Sequence, residues 1–168
     1  MNQRIKVLFV CHGNICRSPA AEGTFKKLLQ DRNLENYFLV DSAGVSSYHI
    51  GEKPHPLTIK AAMEKGIVLN HVARKFTKED LEKFDYIFAM DRYNYEDIMS
   101  YVSDPKYKDK IFLFRKFDPE VKDKQSILDV PDPYYGGYEG FREVQRIISR
   151  TSESLLEYLL ETNLNFKK

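Results

Sequence analysis

The chain has no tryptophan, only two cysteines among 168 residues, and no apolar run near the roughly 18 residues that a membrane-spanning helix needs. Its opening, MNQRIKVLFV, is apolar over too short a stretch to be the core of a secretory signal. No membrane association is expected, and the expected location is cytoplasmic. Charge of one sign is lacking too. Lys and Arg number 26 against 25 Asp and Glu, and a formal charge of +1 gives no field to gather nucleic acid or an anionic membrane. Any anion that binds must be held locally. Two cysteines are too few for a disulfide framework, and in a reducing compartment they are reactive or inert. The four histidines, His12, His49, His55 and His71, show no HxxxH spacing and the chain has no CxxC, so no metal is expected. Repeats and low-complexity segments are missing as well, and the length suits one domain over residues 1–168.

What the chain does have is alternation. Apolar runs bounded by turn residues, at 5–10, 38–40, 86–89 and 111–114, predict four short buried strands. Between them lie helical spacings. Ala21, Phe25, Leu28 and Leu29 form one face; Ile59, Ala62 and Met63 form another, ending at a C-cap glycine, Gly66; Tyr95, Ile98 and Met99 share a helix opened near Asp91. Thr77-Lys78-Glu79-Asp80 looks like a capping box before Leu81. Phe141, Val144, Ile148, Leu155 and Leu159 mark a long C-terminal helix. Strands alternating with helices predict an α/β fold with a flavodoxin-like or Rossmann-like strand order. Its four-stranded parallel sheet has helices on both faces, making a three-layer domain, and ligands bind beyond the carboxyl ends of the strands. Residues 104–110 and 117–135 read as loops, the second long enough to suspect function.

Both cysteines fall in one turn, within VLFVCHGNICRSPAAEG. Cys11 ends the first strand, and Arg17-Ser18-Pro19 stands where the next helix begins. Backbone N–H groups curling into a helix start form a concave anion site, and Gly13 and Asn14 tolerate the positive φ such a curl needs. A thiol on that rim is favoured as thiolate by the helix dipole, by Arg17 and by a hydroxyl donor, for which Ser18 is the nearest candidate. Arg17 has the planar fork that binds two oxygens of a phosphoryl group, which lysine cannot match. Cys and Arg six residues apart are weak as a signal alone; strand before, helix after, glycine within and hydroxyl following give the pair its meaning.

The run Cys11-His12-Gly13-Asn14-Ile15-Cys16-Arg17-Ser18, with Asp41-Ser42-Ala43-Gly44 and Asp132-Pro133-Tyr134-Tyr135, resembles the low-molecular-weight protein tyrosine phosphatases, over most of the chain. The resemblance implies a phosphoric monoester hydrolase acting on protein phosphotyrosine and small aryl phosphates through a cysteinyl-phosphate, with no cofactor or metal. Cys11 would be the nucleophile, Arg17 the group on the phosphoryl oxygens and Asp132 the general acid and base, with Asp129 as the local competitor. His12, Gly13, Asn14, Ile15, Cys16 and Ser18 would surround the phosphate. Tyr48, Tyr134 and Tyr135 would flank the aryl ring, and Ser42, His71 and Asp91 would support the loop, Asp91 first as a helix cap. Partners would be phosphotyrosine proteins, with phosphate or other oxyanions as inhibitors, and the chain would be a monomer.

Alternatives on a similar scaffold remain open. An arsenate reductase relays a disulfide to later cysteines, and none follows Cys16. In relatives that are arginine phosphatases, threonine stands where this chain has Ile15. Phosphocysteine carrier domains lack the equivalents of Arg17 and Asp132, and a plain phosphate-binding module needs neither Cys11 nor an acid. Cys16 either fills space under the loop or traps an oxidised Cys11 as a disulfide.

Overall fold

The computed structural model describes residues 3–121 and 128–163. The apolar run near the N-terminus forms β1 (Ile5–Cys11), and from Val7 onward its residues are apolar on both faces because both faces are covered. Val7, Phe9 and Cys11 point into one core with α1 (Arg17–Asp31) and α5 (Tyr138–Thr162), while Leu8 and Val10 point into a second with α3 (Asp80–Lys83) and α4 (Arg92–Met99). Phe9 anchors the first core, its ring 5.8 Å from those of Phe25 and Phe88 and 5.5 Å from that of Phe114. Cutting such a ring back to alanine costs about 3–5 kcal/mol.

The strands β2 (Phe38–Gly44), β3 (Tyr86–Ala89) and β4 (Ile111–Leu113) complete an all-parallel sheet in the order β2-β1-β3-β4. This is the flavodoxin-like order, one of the two expected from the sequence. The chain leaves β1 with β2 on one side and β3 on the other, so the turn after Cys11 sits at the topological switch point, where such sheets bind ligands.

Several boundaries differ from the sequence expectation. β2 runs on to Gly44 rather than stopping at Val40, because its pairing with β1 continues from Leu8↔Asp41 to Cys11↔Gly44. Hydropathy alone misses a strand whose end carries Asp41 and Ser42. β4 stops at Leu113, since Phe114 begins a single helical turn, Phe114–Phe117. The expected loop at 104–110 is another such turn, Pro105–Lys110, opened by Asp104 accepting the Lys106 N–H. In α2 (Pro56–Met63) the covered face is Thr58, Ala61 and Ala62, and Met63 is exposed. Small residues face inward there because α2 packs closely on the turn carrying Ile15 and Cys16 and on Phe141 of α5. Gly66 follows with φ +73° and donates to the Met63 carbonyl, the expected C-cap. Of the capping box, one half forms: Asp80 accepts the Thr77 N–H at 2.8 Å, and α3 starts at Asp80 itself. The loop expected at 117–135 includes residues 122–127, which lie outside the described residues.

Candidate active site

Cys11 ends β1 with 2 % of its surface exposed, and its Sγ lies 3.0 Å from the Ser18 hydroxyl at the start of α1. The direction of that hydrogen bond follows from its neighbours. Asn14, at φ +60°, uses its side-chain oxygen to accept from the Arg74 N–H at 3.0 Å, which fixes its amide orientation. Its Nδ2 therefore donates to Ser18 Oγ at 2.8 Å and to Ser42 Oγ at 3.0 Å. With its oxygen already accepting from Asn14, the Ser18 O–H has two acceptors in reach, the Ala43 carbonyl at 3.4 Å and the Cys11 sulfur at 3.0 Å; directed at the nearer sulfur, it stabilises negative charge there.

Behind Asn14 the network continues. His71 Nε2 donates to Asn14 Oδ1 at 2.7 Å, His71 Nδ1 lies 3.1 Å from Glu22 Oε1, and the Ser42 hydroxyl donates to Glu22 at 2.6 Å. Glu22, Asp41 and His71 present ligand atoms within 4.8 Å of one another. Lys26 on Glu22 and Arg74 on Asp41 already occupy these carboxylates, so the cluster serves as a hydrogen-bonded support for the turn. Gly44 closes it from the β2 side: a Cβ there would stand 2.8 Å from the His12 carbonyl oxygen and 2.9 Å from the Asn14 nitrogen. Only glycine permits that approach.

Arg17 is buried, and one edge of its guanidinium is committed. Its NH1 donates to Asp91 Oδ2 at 2.6 Å and to the Val130 carbonyl at 3.0 Å. The Nε–H is buried without a hydrogen-bond partner among the described residues, and NH2 lies 3.6 Å from Asp132 Oδ2. Nε and NH2 form the other edge of the fork, and with Arg17 lining the cavity that edge is left as a two-point donor of the kind a phosphoryl group accepts. Burial alone would lower the arginine's pKa, yet charge on Cys11 and the carboxylates of Asp91 and Asp132 hold it above the ordinary value. Burial first, and then charge on Cys11, pushes the Cys16 thiol up to about 12. The two sulfurs of the turn are chemically unequal.

These groups open on a cavity of about 350 Å³ lined by Cys11, His12, Gly13, Ile15, Cys16, Arg17, Ser46, Tyr48, His49, Asp132, Tyr134 and Tyr135. Tyr48 and Tyr135 stand at its rim, 82 % and 95 % exposed, and the Tyr134 ring packs 4.8 Å from that of Tyr135. Asp132 is half exposed, between two prolines. Asp129 is turned away, its carboxylate bound to the Arg92 N–H and side chain. Among the other residues expected at the site, Asn14, Ser18, Ser42, His71 and Asp91 do not line the cavity; they hold the groups that do. His49 and Ser46 line it without having been expected. His49, between the rings of Tyr48 and Tyr134, meets Gly13 so closely that a Cβ there would lie 2.9 Å from its Cδ2. Its place next to Tyr48 was the available signal.

The family profile described as "Low molecular weight phosphotyrosine protein phosphatase" matches residues 6–165. The chain belongs to this family. A relative so named from Gallus gallus is 43% identical over 152 residues, covering 90% of this chain and 93% of its own. Among solved structures, a protein tyrosine phosphatase from Entamoeba histolytica with Hepes in its active site superposes with a TM-score of 0.88 at 40% identity, covering 94% of this chain and 98% of its own. The arginine phosphatase YwlE, as a mutant with a phosphorylated active-site serine, gives 0.82 at 30% identity, covering 96% and 99%. Members of the family are phosphoric monoester hydrolases, and the chemistry such an enzyme needs can be set beside the site. A nucleophile for phosphorus, donors for the equatorial oxygens and an acid for the leaving oxygen are three separate demands. Cys11, the Arg17 edge and Asp132 are three separate groups on one cavity.

Proposed function

We propose that the protein hydrolyses phosphotyrosine in proteins, and small aryl phosphates, in two steps. The Cys11 thiolate attacks phosphorus in line; the P–O bond to the aryl group breaks as Asp132 gives its proton to the leaving oxygen, and a cysteinyl-phosphate remains. Asp132 then takes a proton from water as that water attacks phosphorus, releasing phosphate and restoring the thiolate. Throughout, Nε and NH2 of Arg17 and the amides of the turn from His12 to Arg17 carry the charge on the three equatorial oxygens. Every role falls to a side chain or an amide, and no cofactor is called for.

The observation that carries this reading is the buried, unpartnered Nε–H of Arg17, a residue that lines the same cavity as Cys11 and Asp132. Tyrosine walls suit an aryl ester. A second reading, hydrolysis of phosphoarginine, is favoured by the likeness to YwlE, but Ile15 offers the pocket an apolar surface where that branch carries threonine. The decisive experiment is a panel of peptides bearing phosphotyrosine, phosphoserine or phosphoarginine, assayed in excess chelator. Preferential release of phosphate from phosphotyrosine is expected; preference for phosphoarginine would transfer the assignment to the second reading. The reading also includes one catalytic domain over residues 1–168, a monomer, a cytoplasmic location and competitive inhibition by phosphate. It is compatible with the finding that no helix among the described residues is long and apolar enough to cross a membrane.

A further inference from the structure

One arginine outside the cavity reaches both ends of the chain stretch that leads to Asp132. Arg115, in the helical turn after β4, is 9 % exposed; its Nε donates to Asp118 Oδ2 at 3.1 Å and its NH1 donates to the Asp129 carbonyl at 2.9 Å. Asp118 is fully buried, and Arg150 of α5 grips the same carboxylate through Nε at 2.9 Å and NH2 at 3.0 Å. Burial alone would raise the Asp118 carboxyl, but Arg150, the Glu120 N–H and Arg115 together hold it below its ordinary value. It is therefore a fixed anion against which Arg115 is braced. Just past Asp129, the Val130 N–H donates to the Met90 carbonyl at 2.8 Å and the Val130 carbonyl accepts from Arg17 at 3.0 Å. Asp132 follows after Pro131, whose ring restricts the backbone between grip and carboxyl.

We propose that Arg115 is a positioning residue for the general acid: by holding the Asp129 carbonyl while braced on Asp118 and, through it, on Arg150 of α5, it sets the point from which Asp132 reaches the leaving oxygen. The proposal rests on the reading of Asp132 as that acid. Arg115 does not line the cavity, so it acts through the backbone at Asp129. The neighbouring contacts from Arg92, its N–H at 3.0 Å and its 68% exposed, solvent-screened side chain at 3.3 Å, hold the Asp129 carboxylate and leave the backbone carbonyl to Arg115. A lysine at 115 would keep the charge beside Asp118 but lacks a fork that spans both acceptors.

The test compares kcat/KM for phenyl phosphate, whose leaving group needs a proton, with that for p-nitrophenyl phosphate, which needs it far less. In the full chain, Arg115→Ala is expected to lower the phenyl phosphate value about 10-fold and the nitrophenyl value less than about 3-fold, a fraction of what general acid catalysis is worth. In an Asp132→Asn background the same substitution is expected to change either value by less than about 2-fold, because there is no acid left to aim. Equal losses on both substrates, or an undiminished loss in the Asp132→Asn background, overturn the proposal. Should Arg115→Ala fail to fold, Arg115→Lys is read the same way, with the same leaving-group bias expected and its absence overturning the proposal. An Asp132→Asn enzyme with no leaving-group bias overturns the acid assignment and the proposal with it; a biased Asp132→Asn beside an unbiased Arg115→Ala overturns the proposal alone.

Discussion

Arg17 and Asp91 are joined at 2.6 Å through Asp91 Oδ2, while Oδ1 of the same carboxylate accepts the Asn94 N–H at 2.8 Å and caps α4. One side chain just past the end of β3 thus starts a helix and fixes the guanidinium that lines the cavity beside Cys11. The two jobs separate by substitution. Asp91→Asn keeps an N-cap oxygen but loses the ion pair, so kcat/KM for p-nitrophenyl phosphate should fall at least about 10-fold as Arg17 loosens. Asp91→Ala should lose similar activity and, without the cap, a further ~1 kcal/mol of stability in urea unfolding. A normal rate in both variants would show that Arg17 needs no such anchor.

Cys11→Ser should abolish turnover while phosphate still binds, because the groups proposed to hold its oxygens, Arg17 and the turn amides, are untouched. Phosphate titration followed by chemical shift or by thermal stabilisation measures the binding, and release of nitrophenol measures the turnover. Undiminished turnover would remove Cys11 from the mechanism.

Much of this arrangement is legible in the sequence, for identifiable reasons. From Val7 onward β1 is apolar on both faces, as is β3, so their runs stand out, and the Cys11-to-Ser18 motif lies where a strand meets a helix. The parts that escape notice are those whose polar residues do structural work. Asp41 and Ser42 lengthen β2 and face the Asn14 network, yet they break its hydropathy pattern. Glu22, in the middle of α1, reads as a surface acid but is 4 % exposed beneath His71 and Ser42. Arg115 and Arg150 likewise look like ordinary surface charge, since only the fold brings both onto Asp118. Pairing across 32 residues leaves no periodic trace.

Asp129 and Asp132 are three residues apart, and the structure separates their surroundings: Asp129 is held by Arg92, and Asp132 lines the cavity. Asp132→Asn should therefore slow phenyl phosphate more than p-nitrophenyl phosphate, by a margin of order 10² where leaving-group protonation limits the rate. Asp129→Asn should show no such bias. A larger, biased loss from the Asp129 variant would move the acid there.

The unequal sulfurs of the turn allow a chemical test. Burial and the charge on Cys11 push the Cys16 thiol up to about 12, so Cys16 stays protonated at neutral pH. Iodoacetate at pH 7 should label one cysteine per chain and stop turnover. Cys16→Ser should label normally and keep most activity, whereas Cys11→Ser should take up almost no label. The same shift carries a sign for stability. In the unfolded chain the Cys16 thiol ionises near its ordinary value of 9.0, while the fold keeps the proton to about 12. The stabilisation is fully present below pH 9 and is lost as pH rises through that window, because the unfolded chain then releases a proton that the fold retains. Cys16→Ser should flatten the decline of urea-unfolding stability between about pH 9 and pH 11 relative to the parent. An equally steep decline in the variant would mean that Cys16 is not the group whose proton the fold retains.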